Sequence, residues 1–194
     1  MGLYQFLYLA IICFSFSLVS CSNKPNGNLG RENARDYAEQ EDIKIRIPLN
    51  EFEHLSNNTD DGTAETRLDA EAYKFVVYID SSVCTTCEFQ TLGIWNSVIR
   101  HANQITDVDF FFILSPSKDN LEAIRCMYRF KRFLMDVYLD PEFKFEQGNP
   151  IVRKSMFHHF LLSPNDSILY IGDPTADIEQ KERLLQVLKD EIKK

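Results

Sequence analysis

A Cys-x-x-Cys motif, Cys84 to Cys87, separates a continuous apolar run from a stretch with helical spacing. The run at 75–79, Phe-Val-Val-Tyr-Ile, is typical of a strand that is covered on both faces. After the motif, apolar residues recur every three or four positions, which predicts a helix with one buried face. These are Phe89, Leu92, Trp95, Val98, Ile99 and Ala102. A strand that leads into a helix delivers Cys84 to the helix N-terminus, where free N–H groups and the helix dipole stabilise a thiolate. Cys87 then lies within disulfide reach.

The rest of the chain alternates between strand and helix patterns. Apolar runs at 110–114 and 137–139 predict two more strands, and runs at 157–162 and 168–171 predict a hairpin. A helix with Leu121, Ile124 and Tyr128 on one face is expected between the first two of these strands. Asp173 and Pro174 have the form of an N-cap and a first helical residue for the last helix. The alternating segment 43–47 predicts an edge strand. The pattern therefore predicts one α/β domain over residues 43–194.

The N-terminal residues indicate export. Residues 1–20 contain no Asp, Glu, Lys or Arg, and their apolar run ends in Leu-Val-Ser followed by Cys21. This resembles a bacterial lipoprotein signal peptide over 1–20, with lipid attached to Cys21. The alternative is a plain transmembrane anchor, since the run approaches the length that spans a bilayer. Residues 21–42 are polar and predict a flexible tether.

These features predict a body in the cell envelope, attached to a membrane through lipid on Cys21 and facing the periplasm. Ser22 after the lipidated cysteine resembles the pattern for the outer rather than the inner membrane. The formal charge of -8 argues against a nucleic-acid partner, because binding phosphates requires an excess of clustered Lys and Arg.

The cysteine count does not suit a structural disulfide framework. Of five cysteines, Cys13 leaves with the signal and Cys21 is lipidated, so three remain in an oxidising compartment. We expect one reactive pair, Cys84 and Cys87, and one small core residue, Cys126.

The order of elements, with the motif at the first strand-to-helix junction, resembles the thioredoxin fold over residues 43–194. The signal and tether make the chain similar to TlpA-like, membrane-anchored thioredoxin lipoproteins of the bacterial envelope. The segment 157–172 is similar to the strand-turn-strand of that family. The resemblance implies a central mixed sheet flanked by helices, with Cys84 as the attacking thiol and Cys87 as the resolving thiol. It further implies a thiol-disulfide oxidoreductase without a cofactor, acting on envelope proteins that carry thiols or disulfides.

One departure from the family pattern supports a second hypothesis. Thioredoxin-like proteins carry a cis-proline just before the hairpin strand, but this position falls near Met156 or Phe157, and Pro150 is too far upstream. A cis bond without proline is costly, so we expect a trans peptide. The alternative function is a non-catalytic, thioredoxin-like binding lipoprotein with a structural or vestigial disulfide.

Two other chemistries fit the motif less well. Zinc or copper would use Cys84, Cys87 and one of His158 and His159, since consecutive strand residues face opposite sides. That set falls short of four ligands, so no metal site is predicted. Resemblance to a peroxidase would imply a threonine three residues before the reactive cysteine, but this chain has Ser81 there.

Overall fold

The computed structural model describes residues 43–56, 71–81, 85–131 and 135–193. All of them belong to the compact unit Arg31–Lys194. The strands are β1 Glu53–Leu55, β2 Tyr73–Ile79, β3 Val108–Leu114, β4 Val137–Leu139, β5 His159–Leu162 and β6 Ile168–Ile171. The helices are α1 Thr85–Thr91, α2 Trp95–Asn103, α3 Leu121–Lys131, α4 Lys144–Gly148 and α5 Ile178–Glu191. Short 3₁₀ turns lie at Leu49–Glu51, Leu92–Ile94, Lys118–Asn120, Pro150–Arg153 and Ser155–Phe157.

The strands form one mixed sheet in the order β1-β4-β3-β2-β5-β6. Strands β2, β3 and β4 run parallel, whereas β1, β5 and β6 pair antiparallel with their neighbours. Strands β2 and β3 are buried along nearly their whole length, as their continuous apolar sequences require. The predicted fold class, a thioredoxin-like mixed sheet flanked by helices, is confirmed.

Alternate residues of β2 point to two separate apolar cores. Face 1 carries Phe75, Val77 and Ile79, which pack against buried residues of α1, α2, α3 and α5. Face 2 carries Val76 and Tyr78, which pack against the chain at 43–52, against α4 and against the turns that follow it. The sheet is therefore covered on both sides, which explains why its central strands contain hardly any polar residues.

The prediction of an edge strand at 43–47 is wrong. Ile45 and Ile47 are buried as their alternation requires, but the backbone forms only a single bridge to the sheet, between Lys44 and Ser167. The Asn149 side chain instead binds the backbone of Arg46, accepting from its N–H at 2.9 Å and donating to its carbonyl at 2.8 Å. The segment therefore covers face 2 and does not extend the edge.

The last helix starts later than its sequence signals predict. Asp173 and Pro174 lie in a turn, and helix α5 begins at Ile178, with the Asp177 side chain accepting from the backbone N–H of Gln180 at 2.7 Å. The side chain of Asp173 accepts from the backbone N–H of Thr175 instead. Both aspartates satisfy backbone donors, so the local sequence does not distinguish a cap from a turn.

The prediction that Cys126 is a core residue is also wrong. Its thiol is free and exposed. The buried face of α3 carries Ile124 and Tyr128, and a position two residues from each of them points away from that face because a helix turns about 100° per residue.

Candidate active site

The candidate site lies where β2 ends and α1 begins. Ile79 is the last residue of β2, Asp80 and Ser81 follow it, and α1 starts at Thr85. Cys84 lies outside the described residues, so its predicted pairing with Cys87 stays a prediction. Cys87 itself lies in the first turn of α1, where its side chain is exposed. It is disulfide-bonded, and its partner is not among the described residues.

Aromatic contacts pack α1, which carries Cys87, and the next helix, α2, into the core of face 1. The ring of Phe89 lies 6.3 Å from that of Tyr128 on α3. Trp95, at the start of α2, packs on Phe75 at 5.5 Å and edge-on to Phe112 at 5.7 Å. The interpretation of Trp95 as core packing is confirmed, since 4% of it is exposed. Cys87 is thus exposed on a helix whose inner face is fixed in the core.

The hairpin enters the sheet next to the end of β2. The backbone N–H of Tyr78 donates to the carbonyl of His158 at 2.7 Å, which extends the β2–β5 ladder by one residue beyond β5. The residue just before the strand is therefore His158. The predicted positions, Met156 and Phe157, lie in the preceding 3₁₀ turn. The expected trans peptide is confirmed there, since the described residues contain no cis bond.

The two histidines point to opposite faces of the sheet, as predicted. The ring of His159 lies on face 1, 5.5 Å from Trp95. The ring of His158 lies on face 2, edge-on to Tyr78 at 5.3 Å. At most one of them therefore shares the face on which Cys87 lies. No group of three or more His, Cys, Asp or Glu side chains suited to a metal occurs within the described part of the chain.

His158 also contacts Asp80, a relationship that sequence reasoning missed. Its Nε2 lies 3.0 Å from the carbonyl oxygen of Val152 and 3.7 Å from Oδ2 of Asp80. Both side chains are largely buried, with exposed fractions of 14% and 22%. The two residues come together because of the register in which β5 pairs with β2. This register cannot be predicted from the apolar patterns of the two strands.

A buried tyrosine lies beneath this pair. The hydroxyl of Tyr78 lies near that of Ser115 but makes no hydrogen bond of standard geometry to any residue within the described ranges. Burial raises the pKa of Tyr78 to about 12; the hydroxyl of Ser115 opposes this, and the carboxylates of Glu146, Asp140 and Asp80 add to it. Ser115 donates its own hydrogen towards Asp140 at 3.4 Å. Tyr78 therefore stays a neutral phenol throughout the physiological range.

No family model matches the chain, and no curated protein matches it. Solved structures do resemble it. An uncharacterized thioredoxin-like protein from Porphyromonas gingivalis is 17% identical, with a TM-score of 0.46 over 63% of this chain and 79% of that one. A putative protein disulfide isomerase from Bacteroides thetaiotaomicron is 13% identical, with a TM-score of 0.47 over 64% and 76%. An exposed lipoprotein thioredoxin from Streptococcus pneumoniae is 13% identical, with a TM-score of 0.44 over 62% and 86%.

These similarities concern the fold alone, and the fold assignment rests on the strand order and directions given above. Among the described helices, none has both the length and the apolar character needed to cross a bilayer.

Proposed function

We propose that the protein is a lipid-anchored thiol-disulfide oxidoreductase of the cell envelope that acts through a Cys84/Cys87 pair. The observation that supports this most directly is the position of Cys87, exposed in the first turn of a helix that follows the central strand of a thioredoxin-like sheet. Cys84, the residue just before Thr85, is then the cysteine nearest to the helix start. Unpaired N–H groups at such a position favour the thiolate.

The reaction follows from ordinary thiol chemistry. The Cys84 thiolate attacks one sulfur of a substrate disulfide, which forms a mixed disulfide and releases the other substrate sulfur as a thiolate. Cys87 then attacks the Cys84 sulfur, which closes the Cys84–Cys87 disulfide and frees the second substrate thiol. The residues between the cysteines, Thr85 and Thr86, are uncharged and add no cation to the site. We therefore expect a reductant or exchange protein and not a strong oxidant.

The anchor belongs to the same proposal. Lipid on Cys21 would hold the domain at a membrane through the segment 21–42, which is rich in polar residues. Expression of the full-length chain and of Cys21→Ala tests this. The wild type should partition into the detergent phase of a temperature-induced separation, and the variant should lose the lipid-dependent mass increase of its N-terminal peptide. A wild-type N-terminal peptide whose mass equals that of its unmodified sequence would contradict lipidation.

The redox proposal is tested by the potential of the pair. The full-length protein is equilibrated in buffers of graded thiol-disulfide ratio, and alkylated cysteines are counted by peptide mass spectrometry. We expect Cys84 and Cys87 to be reduced together, at a potential above about -300 mV, and Cys84 to be alkylated faster than a free thiol near neutral pH. Cys126→Ser is the matched control, because this exposed thiol should not affect the potential.

A trapping experiment identifies the substrate class. In Cys87→Ser the resolving step is blocked, so a mixed disulfide through Cys84 should accumulate with envelope proteins and disappear on reduction. The double variant Cys84→Ser/Cys87→Ser should capture nothing.

One observation favours the second candidate, a binding module with a static disulfide. The residue just before β5 is His158 and not the proline that grips extended substrates in the resembled family. A potential far below about -300 mV, no fast-reacting thiol and no trapped mixed disulfide would together replace the oxidoreductase proposal with this one.

A further inference from the structure

We infer that the solvent-facing side of α3 binds the same side of a second copy of this chain, in an antiparallel arrangement around a two-fold axis. Helix α3 packs into the core of face 1 through Ile124 and Tyr128. Five residues on its opposite side are exposed, and we call them the outer face of α3: Glu122, Ala123, Cys126, Arg129 and Phe130. A helix turns about 100° per residue, which places these five within about 120° of one another around the helix axis. They therefore form one continuous surface.

The outer face exposes an unusually large apolar side chain. Phe130 is 81% exposed, the highest fraction among the large apolar residues in the described ranges. Ala123 lies seven positions earlier, about two turns away and in nearly the same direction from the helix axis. The face thus carries a large side chain at one end and a small one at the other. In an antiparallel pair, Phe130 of each copy packs on the turn that carries Glu122 and Ala123 of the other.

The charges of the outer face are self-complementary. Two carboxylates, those of Glu122 and Glu53, bind the single guanidinium of Arg125, which leaves one negative charge uncompensated at this end. About two turns along the helix, Arg129 is exposed and forms no ion pair within the described ranges. An antiparallel copy brings each negative end towards the Arg129 of the other chain, so the contact forms twice. An anionic lipid surface would attract one end and repel the other, so the pattern favours a second copy.

Cys126 lies at the centre of the outer face, four positions from both Glu122 and Phe130. Its thiol is free and exposed. A two-fold axis through this residue places its two copies opposite each other. Packed helices have axes about 8–10 Å apart and each Cα lies about 2.3 Å from its own axis, so the two Cα atoms are about 3.4–5.4 Å apart. The upper part of this range allows a disulfide, which needs about 4.4–6.8 Å. Cross-linking of Cys126 therefore reports on the proposed geometry.

The length of the helix limits the strength of the dimer. Helix α3 has 11 residues. One such helix on each side buries less than the roughly 1,200 Å² of a stable protein–protein interface, so we expect a weak dimer whose population rises with protein concentration. Anchoring of two chains in one membrane, as proposed above, would raise their effective concentration and favour the pair.

Oxidative cross-linking tests the arrangement. The full-length protein is treated with diamide, which takes up two electrons and two protons as two thiols join in a disulfide, and linked peptides are identified by mass spectrometry. We expect a Cys126–Cys126 peptide to form at least about 10 times faster than the corresponding link in Cys126→Ser/Glu182→Cys. That control places its cysteine at an exposed position of α5, outside the outer face. Equal rates in the two proteins overturn the inference.

Charge and size variants test the contacts, with the association of the full-length protein in detergent measured by sedimentation over a range of concentrations. Phe130→Ser and Arg129→Glu should each weaken association by at least about 10-fold, because each change acts at two symmetric contacts. The double variant Glu122→Arg/Arg129→Glu should restore it, since opposite charges again meet between the two copies. Ile178→Ser is the matched control, a 68% exposed side chain on α5 that should leave association unchanged.

The outcomes distinguish a second copy from other occupants of this face. Monomers at every concentration overturn the inference, as do dimers in which the double variant associates no better than Arg129→Glu alone. Binding of Phe130 to anionic vesicles or to another envelope protein, without self-association, overturns it too. The cross-linking comparison decides by itself if one of the charge or size variants does not fold. The redox proposal is unaffected by any of these results, since none of the substitutions in the test alters Cys84 or Cys87.

Discussion

Arg125 on α3 binds both carboxylate oxygens of Glu53 on the edge strand β1, with Nε 2.7 Å from Oε1 and Nη2 2.5 Å from Oε2. A second carboxylate, that of Glu122, binds the same guanidinium. Strand β1 has three residues and pairs only with β4. This two-point contact therefore ties a short edge strand to the helix that covers it.

The first prediction concerns acid. The hydrogen bond from Arg125 lowers the pKa of Glu53, burial opposes this, and the positive charge adds to it. A lowered pKa in the folded state means that the stabilisation is complete at neutral pH and is lost as pH falls through the carboxylate range. Glu53→Gln should lower the Tm at pH 7 by roughly 1–4 °C, and the difference from wild type should shrink as the pH falls through the carboxylate range.

Thermal melts of both proteins between pH 3 and 8 measure this difference. Glu122→Gln is the matched control, since its side chain is 81% exposed and should contribute less. A difference that stays constant down to pH 3 would show that the charge of Glu53 is not involved.

The second prediction compares two buried tyrosines. The hydroxyl of Tyr78 has no hydrogen-bond partner within the described ranges, whereas that of Tyr170 donates to the carbonyl and to Oε1 of Gln180, at 3.1 and 3.0 Å. Removing an unsatisfied buried hydroxyl is neutral or stabilising, but removing a bonded one costs about 0.5–1.5 kcal/mol. Tyr78→Phe should therefore keep or raise the free energy of unfolding, and Tyr170→Phe should lower it. Equal losses in urea titrations of both variants would contradict this.

The raised pKa of Tyr78 also predicts how the stability of the protein changes at alkaline pH. Because the pKa of Tyr78 in the folded protein is raised to about 12, its neutral form contributes stability that is complete below about pH 10 and declines as pH rises towards 12. Absorbance at the tyrosinate band should show one group that titrates above the others. Tyr78→Phe should remove that late step, and a titration curve unchanged in this variant would exclude the assignment.

The third prediction separates two neighbouring residues at the start of α2. Trp95 is packed between Phe75, Phe112 and His159, whereas Ile94 is 56% exposed. Trp95→Ala should lower the free energy of unfolding by about 3–5 kcal/mol, because the cavity cannot close around a fixed sheet. Ile94→Ala should change it by less than about 0.5 kcal/mol. Denaturant titrations of both variants measure these free energies. A similar loss in the two variants would contradict the prediction.

The fourth prediction concerns the start of the last helix. The side chain of Asp177 caps α5 by accepting from the N–H of Gln180. Asp177→Ala should cost about 0.5–2 kcal/mol of unfolding free energy, and Asp177→Asn should retain most of it. Pro174→Ala, at the position that the sequence suggested for the first helical turn, should cost less. A larger loss of unfolding free energy from Pro174→Ala than from Asp177→Ala would show that the last helix begins at Pro174, as the sequence predicted.

The elements predicted with the correct type are those whose burial is continuous or strongly periodic. The runs at 75–79 and 110–114 form the two central strands, and Ile124 and Tyr128 form the inner face of α3. In such segments the burial of many side chains on one face contributes more free energy than the preference of any single residue for another secondary structure. The short elements β1 and α4 were not predicted, since neither contains a continuous apolar run, whereas the equally short β4 was predicted from its apolar residues.

The alternation of strands and helices, the thioredoxin-like class of the fold and the position of Cys87 near a helix start were predictable from the chain, because they depend on side-chain pattern and spacing. Three features could be seen only in the folded protein: residues 43–47 cover a face of the sheet, Arg125 binds Glu53, and His158 contacts Asp80. Arg125 and Glu53 are 72 residues apart, and Asn149, which binds the segment 43–47, is 103 residues from Arg46. The contact between His158 and Asp80 depends on the register of β5 against β2. Register and long-range docking arise when all the cores are packed together, and no local stretch of sequence contains that information.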